Sequence, residues 1–125
     1  MAKTVNDYVS SAKSEVPAIS VADAMKLHGR DDVTFVDVRE PPETAQGKIA
    51  GAEAIPRGTL EFALDQTAPS GKPAFADSAK TYVFYCASGG RAAMAAQTAL
   101  SMGLAKAHSM ETGFGNWKSD GGPTE

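Results

Sequence analysis

The sequence predicts a single α/β domain with a mostly parallel central sheet and helices on both faces. Two segments rich in β-branched and aromatic residues, 33–38 and 81–85, are typical of buried strands. Helical patterns stand between and after these segments, and strands that alternate with helices form parallel sheets covered on both faces. A chain of 125 residues fits one domain of common size and can bury a core without disulfides or metals.

Two helices and a strand are predicted in the first third of the chain. Residues 4–15 have a weakly helical composition. Ser20 is a good N-cap for a short helix that Gly29 closes, because a serine hydroxyl accepts from free helix amides and glycine tolerates the left-handed conformation. The strand over residues 33–38 ends before the two prolines at positions 41 and 42, since proline has no N–H group to donate.

Shorter elements and a loop are predicted between the two strands. A short extended piece covers residues 52–55, and a short helix covers residues 58–64. Residues 66–80 are rich in Pro, Ser, Gly, Ala and Lys, a composition typical of loops. We therefore expect a surface loop there rather than a linker between domains.

The second strand runs directly into a turn, residues 86–91, with the sequence Cys-Ala-Ser-Gly-Gly-Arg. A helix is predicted from position 91 to about position 102, with Gly103 as its stop. Its alanines at positions 92, 95, 96 and 99 share one helical face, where small side chains let a helix lie close to a sheet. A last strand over residues 107–110 and a helical turn over residues 113–119 complete the alternation.

Composition excludes several classes of partner. Lys and Arg number 12 against 15 Asp and Glu, and this net charge of −3 argues against nucleic acid and against anionic membranes. No apolar run approaches the roughly 18 residues of a membrane helix, and the first residues lack the apolar core of a signal peptide, so we expect a cytoplasmic protein. Residues 1–18 are predicted as an N-terminal helical extension of a domain over residues 19–125, and nothing demands more than a monomer.

Cysteine and histidine usage argues against metal chemistry. The chain has one cysteine, Cys86, which excludes an intramolecular disulfide and zinc sites built from paired cysteines. The two histidines, His28 and His108, lie at ligand spacing neither from each other nor from Cys86. We therefore expect no metal and no other cofactor.

A buried strand, a glycine-rich turn and a helix N-terminus together form an anion cradle, because the turn amides and the helix dipole both favour negative charge. Cys86 opens this cradle, and the field there favours the nucleophilic thiolate. Gly89 and Gly90 permit the backbone angles that such a turn requires, and Arg91 adds a permanent positive charge. The arrangement suits a sulfur nucleophile that acts on an anionic substrate, with Cys86 and Arg91 as the candidate catalytic residues.

Three segments of the chain resemble the rhodanese-like domain family. FVDVREPPETAQGKIAGAEAIP is similar to the first family signature, YCASGGRAAMAAQTALSMGL to the active-site loop with its helix, and ETGFGNWKSDGGP to the closing glycine-rich segment. The segments follow the family's order and the resemblance covers roughly residues 19–123. It implies a sulfurtransferase that moves sulfane sulfur from a donor such as thiosulfate to cyanide or a thiol, through a persulfide.

The resemblance also assigns roles to individual residues. Cys86 matches the cysteine that carries the sulfur, and Arg91 matches the arginine that closes the loop. Asp37 and Arg39 match an Asp-x-Arg pair that braces the active-site loop, whereas Lys48 stands where the family often has a histidine that is not the nucleophile. The amides that are expected to hold the outer sulfur, and so to bind substrate, belong to Ala87, Ser88, Gly89, Gly90 and Arg91.

Two alternatives to an enzyme acting on small molecules stay open. A non-enzymatic sulfur-relay or redox-sensing module would need the same cysteine and would hand its sulfur to a protein acceptor. A phosphatase or arsenate reductase would use the same anion cradle. Related cell-cycle phosphatases have five residues between the cysteine and the arginine, whereas four stand between Cys86 and Arg91, so the resemblance favours sulfur over phosphate.

Other side chains are weighed against plain structural roles. Arg57, after Pro56, is a candidate substrate-binding residue at the mouth of the site, and the alternative is a surface arginine. Glu40 and Glu43 are interpreted as exposed loop charges rather than as acid and base catalysts. The core is expected to take at least two of three aromatic residues, Phe62, Phe114 and Trp117.

Overall fold

The computed structural model describes residues 1–125 and has a five-stranded sheet with helices on both faces. The strands are β1 (Ala18–Ile19), β2 (Val33–Asp37), β3 (Glu53–Ala54), β4 (Thr81–Tyr85) and β5 (Lys106–Met110). The helices are α1 (Val5–Glu15), α2 (Val21–Leu27), α3 (Pro41–Thr44), α4 (Leu60–Leu64), α5 (Gly90–Ser101) and α6 (Phe114–Ser119). Two 3₁₀ turns cover Arg57–Thr59 and Pro73–Phe75.

All neighbouring strands of the sheet are parallel, in the order β1-β5-β4-β2-β3. The middle strand, β4, pairs with β2 on one side and β5 on the other, and Val83 stands opposite both Phe35 and His108. Because the strands are parallel, their carboxyl ends meet at one edge, which is where open α/β sheets bind ligands. Cys86 follows β4 directly and therefore lies at this edge.

The core has one layer on each face of the sheet, as predicted. α1, α4 and α5 cover the face that carries Val36, Tyr82 and Phe84. α2 and α6 cover the opposite face with Val83 and Tyr85. The alternation along β4 thus sends successive side chains to opposite layers. On α5 the four predicted alanines and one more are fully buried, at positions 92, 93, 95, 96 and 99.

The two N-terminal helices form where the sequence predicts them. α2 begins after Ser20, whose hydroxyl accepts from the N–H of Asp23 at 3.1 Å, and Gly29 follows it with φ +88°. α1 packs along α5, and a Cβ at Gly90 would lie 3.4 Å from a methyl carbon of Val9. The division between an extension and a domain at residue 18 stays a prediction. No helix of the fold is both long and apolar enough to cross a membrane.

Two elements have no counterpart in the sequence prediction. β1 is a two-residue edge strand, too short for a periodic pattern. α3 begins at the two prolines that follow β2, because proline is well suited to the first helical positions, where no N–H donor is needed. The loop over residues 66–80 also contains an anchor, since the 3₁₀ turn buries Phe75 against Tyr82 and Phe84 with ring centroids 5.6 and 6.4 Å away.

We predict that Phe75→Ala destabilises the fold by about 3–5 kcal/mol, because it removes a buried aromatic ring and leaves a cavity. Phe62→Ala is the matched control: Phe62 is 66% exposed, so its loss is expected to change stability by no more than about 0.5 kcal/mol. Urea unfolding of both variants measures the difference. Equal losses would contradict an anchoring role for Phe75.

Candidate active site

The sulfur of Cys86 lies inside the turn that follows β4, and the residue is 1% exposed. The N–H groups of Gly89 and Ala92 donate to Sγ at 3.0 and 3.4 Å. Gly89 has φ +107°, and a Cβ there would lie 3.0 Å from the carbonyl oxygen of Glu111. Only glycine meets both demands, so the chain can fold back over the sulfur at this position.

Four further amides of the loop over residues 86–91 have no acceptor within the protein. The N–H groups of Ala87, Ser88, Gly90 and Arg91 donate no hydrogen bond to a protein atom. They belong to the turn after Cys86 and to the first residues of α5, where the helix dipole adds positive potential. The structure therefore brings together the cysteine and the predicted amide cradle, with donors that are free for an anionic ligand.

The N-terminus of α6 packs against the backbone of this loop. The N–H of Phe114 donates to the carbonyl oxygen of Cys86 at 2.9 Å. A Cβ at Gly113 would lie 1.6 Å from the carbonyl oxygen of Ala87, so no other residue fits there without moving the loop. Gly113 was not among the predicted site residues, although its place in the closing glycine-rich segment was the available signal.

Asp37 and Arg39 form a buried ion pair instead of the surface pair that such residues often make. The guanidinium donates to both carboxylate oxygens, with a shortest distance of 2.7 Å, and also to the carbonyl oxygen of Gly47. Tyr85 completes the cluster, since its hydroxyl donates to Asp37 at 2.8 Å and accepts from the N–H of Ile49 at 3.0 Å. Burial, with the charge of Asp37, raises the pKa of Tyr85 well above its usual value, so the hydroxyl stays protonated as a donor.

This cluster contacts the Cys86 loop through its neighbours rather than directly. Tyr85 precedes Cys86 in the chain, and the Arg39 guanidinium lies 4.4 Å from the centroid of the Phe114 ring, which is cation–π distance. Phe114 in turn holds the Cys86 carbonyl group. The bracing role of Asp37 and Arg39 stays a prediction, and any bracing of the loop must act through Tyr85 and Phe114.

Arg91 points to α3 and forms a two-pronged ion pair with Glu43, at 2.7 and 3.1 Å. The Glu43 carboxylate also accepts from the N–H of Glu40 at 3.0 Å. These two hydrogen bonds, from Arg91 first and then from Glu40, lower the pKa of Glu43 to about 2. The interpretation of Glu43 as an exposed loop charge is therefore wrong in its placement: Glu43 lies half-buried on α3 and neutralises the arginine that closes the loop.

The structure does not bring Arg57 to the Cys86 loop. Its guanidinium donates to Glu61 at 2.8 Å and to the hydroxyl of Thr98 at 3.0 Å. Thr98 lies about two helical turns along α5 from Arg91, so these partners hold Arg57 away from the thiol. Glu61, four residues later in the chain, pairs with the charge of Arg57. This pairing favours a surface arginine over a substrate-binding residue.

A cavity of about 430 Å³ opens between α3 and α6, beside the loop. Phe114 lines it half-buried and packs against the core layer that contains Trp117, whereas Phe62 is exposed, so two of the three aromatic residues contribute to the core. Only Trp117 is fully buried. The remaining lining includes Arg39, Glu43 and Lys118. No group of three or more His, Cys, Asp or Glu side chains is placed to hold a metal ion.

Comparisons with known proteins agree with this geometry. The family model described as rhodanese-like domain matches residues 20–120. The chain is 34% identical over 120 residues to the thiosulfate:glutathione sulfurtransferase of Saccharomyces cerevisiae. The alignment covers 87% of this chain and 83% of the relative. It is 32% identical over 107 residues to the human thiosulfate:glutathione sulfurtransferase, and this alignment covers 81% of this chain and 92% of the relative.

The fold also resembles solved structures. The structure of a Rhodopseudomonas palustris protein of unknown function, described as a possible tyrosine phosphatase, superposes with a TM-score of 0.94. That protein is 42% identical, and the superposition covers 100% of this chain and 96% of the other. The match includes α1, so the N-terminal helix has a counterpart in that structure.

We predict that Asp37→Asn destabilises the protein by about 3–5 kcal/mol, because it leaves the buried Arg39 charge without its partner. Asp32→Asn is the control, since Asp32 makes an equivalent but exposed pair with Arg30 and little change is expected. Urea titrations compare the two variants. A similar loss of stability in both would contradict the burial argument.

The ion pair of Glu43 predicts a pH-dependent contribution to stability. A carboxylate with a lowered pKa stabilises the folded state fully above its ordinary pKa of 4.5, and this contribution is lost as the pH falls towards about 2. Glu43→Gln is therefore expected to be less stable than the wild type at pH about 6, with a difference that shrinks by pH about 3. Urea midpoints at both pH values test this, with Glu53→Gln, an exposed glutamate without an ion pair, as control. A difference independent of pH would contradict it.

Proposed function

The chain belongs to the rhodanese-like domain family and is a sulfurtransferase, and from that premise we propose that it carries sulfane sulfur as a persulfide on Cys86. The observation that carries the proposal is the set of amides around the thiol. Two of them donate to Sγ, and four others have no acceptor. Such donors stabilise the thiolate before the reaction and the terminal sulfur after it.

In the first step, the Cys86 thiolate attacks the outer sulfur of thiosulfate. A bond forms between Sγ and that sulfur, the sulfur–sulfur bond of thiosulfate breaks, and sulfite leaves with the bonding electron pair. The outer sulfur then extends about 2 Å beyond Sγ, towards the free amides of the loop. We propose thiosulfate as the donor because both curated relatives carry it in their names.

In the second step, an acceptor thiolate attacks the outer sulfur and Cys86 leaves as the thiolate. The product is a persulfide of the acceptor, and no external oxidant or reductant is consumed. The chain has no second cysteine, so the acceptor comes from outside and the reaction is expected to follow ping-pong kinetics. We propose a low-molecular-mass thiol as acceptor, in line with the glutathione in the relatives' names.

A phosphatase is the second candidate, because the Rhodopseudomonas palustris protein is described as a possible tyrosine phosphatase. The Arg91–Glu43 pair argues against it. A phosphatase binds the phosphate oxygens with a guanidinium. Here both terminal nitrogens of the Arg91 guanidinium already donate to the carboxylate of Glu43. Transfer to a protein acceptor, a monomeric state and a cytoplasmic location stay predictions.

We predict that incubation with thiosulfate adds one sulfur atom to the intact protein and that cyanide or glutathione removes it. Cys86→Ser is the control and is expected to gain nothing, because the hydroxyl cannot form the persulfide. Intact mass spectrometry measures both. No gain with thiosulfate, with polysulfide or with glutathione persulfide would overturn the proposal, and so would sequential kinetics. Hydrolysis of p-nitrophenyl phosphate dependent on Cys86 would favour the phosphatase.

A further inference from the structure

We propose that the cavity between α3 and α6 holds the body of the acceptor, and that this acceptor is a small peptide-like thiol whose carboxylate pairs with Lys118. The inference rests on the proposed function, since it assigns a second part of the same site. It concerns recognition of the acceptor and leaves the chemistry at Cys86 unchanged.

The cavity lies next to the Cys86 loop, because two of its lining residues form hydrogen bonds with that loop. Glu43 lines the cavity and also holds Arg91, the last residue of the loop. Phe114 lines the cavity and also donates its N–H to the Cys86 carbonyl group. A molecule seated in the cavity therefore lies beside the loop that is proposed to present the outer sulfur.

The size of the cavity fits an organic acceptor better than a small ion. Its volume of about 430 Å³ falls in the range of about 300–1,000 Å³ that is usual for pockets that hold organic ligands. Thiosulfate and cyanide need only the amides of the loop. A peptide-like acceptor is larger than these ions and would fill the cavity beside the loop.

The charges around the cavity leave one cation without a partner. Arg39 is paired with Asp37, and the Glu43 carboxylate that faces the cavity is paired with Arg91. The side chain of Lys118, on the last turn of α6, makes neither an ion pair nor a hydrogen bond. The only unpaired charge in the cavity lining is therefore the positive charge of Lys118, whose flexible side chain can reach an anionic group of a ligand.

The other surfaces of the cavity suit a peptide-like molecule. The ring of Phe114 offers an apolar face that is held in place by the guanidinium of Arg39. The exposed amide of Gln46 can donate to a carbonyl group and accept from an N–H group. A thiol with amide bonds, methylene groups and a terminal carboxylate has a partner for each part.

The test measures binding without sulfur transfer, with S-methylglutathione as the probe because its blocked sulfur cannot react. Calorimetric titration of the wild type is expected to give saturable binding, and Lys118→Ala to raise Kd about two- to fivefold, the effect of one partly exposed ion pair. Lys118→Arg is expected to retain most of the affinity. Lys106→Ala is the control with the same change of net charge, since exposed Lys106 begins β5 at the opposite edge of the sheet.

A probe without carboxylates, the dimethyl ester of S-methylglutathione, separates the charge from the shape of the ligand. It is expected to bind the wild type and Lys118→Ala with the same affinity. The proposal is overturned if the parent probe does not bind the wild type, if Lys118→Ala binds it equally well, or if Lys106→Ala weakens it as much. If none of thiosulfate, polysulfide and glutathione persulfide loads Cys86, the proposed function fails, whatever the binding result.

Discussion

We propose that the geometry of the site depends on the buried carboxylate of Asp37. It ends β2, and it accepts from the guanidinium of Arg39 and from the hydroxyl of Tyr85, the last residue of β4. A carboxylate removed from water is stable only with such partners. The carboxylate of Asp37 therefore holds the C-terminal ends of the neighbouring strands β2 and β4 together. Tyr85 precedes Cys86, and Arg39 packs on Phe114, so this cluster contacts both ends of the route by which bracing of the loop is proposed to act.

Close approach of backbones is the second constraint, and it decides which amides face the sulfur. Gly89 folds over Cys86, and Gly113 brings the start of α6 against Ala87 at a distance that no side chain tolerates. Because Glu43 neutralises Arg91, we propose that the loop amides and the helix dipole provide the electrostatic stabilisation of a persulfide. In the proposed mechanism, the loop holds the sulfur and the cavity beside it binds the acceptor.

Local patterns predicted the elements of this fold, and tertiary contacts decided what the site residues do. The strands over residues 33–38 and 81–85 and the alanine face of α5 follow from composition and periodicity, which a single segment contains. The partner of Arg91 lies 48 residues away in the chain, and no local pattern could pair it with Glu43. For the same reason Arg57 could be placed at the site on charge alone, although its contacts with Glu61 and Thr98 hold it elsewhere.

The most direct measurement is a crystal structure of the protein after treatment with thiosulfate. The account predicts one additional sulfur atom bonded to Sγ of Cys86, within hydrogen-bond distance of loop amides that are free in the untreated protein. The Asp37–Arg39–Tyr85 cluster is expected to keep its contacts. A sulfur atom that points away from the loop, or a loop that has to rearrange to accept it, would contradict the central claim that the fold builds the cradle in advance.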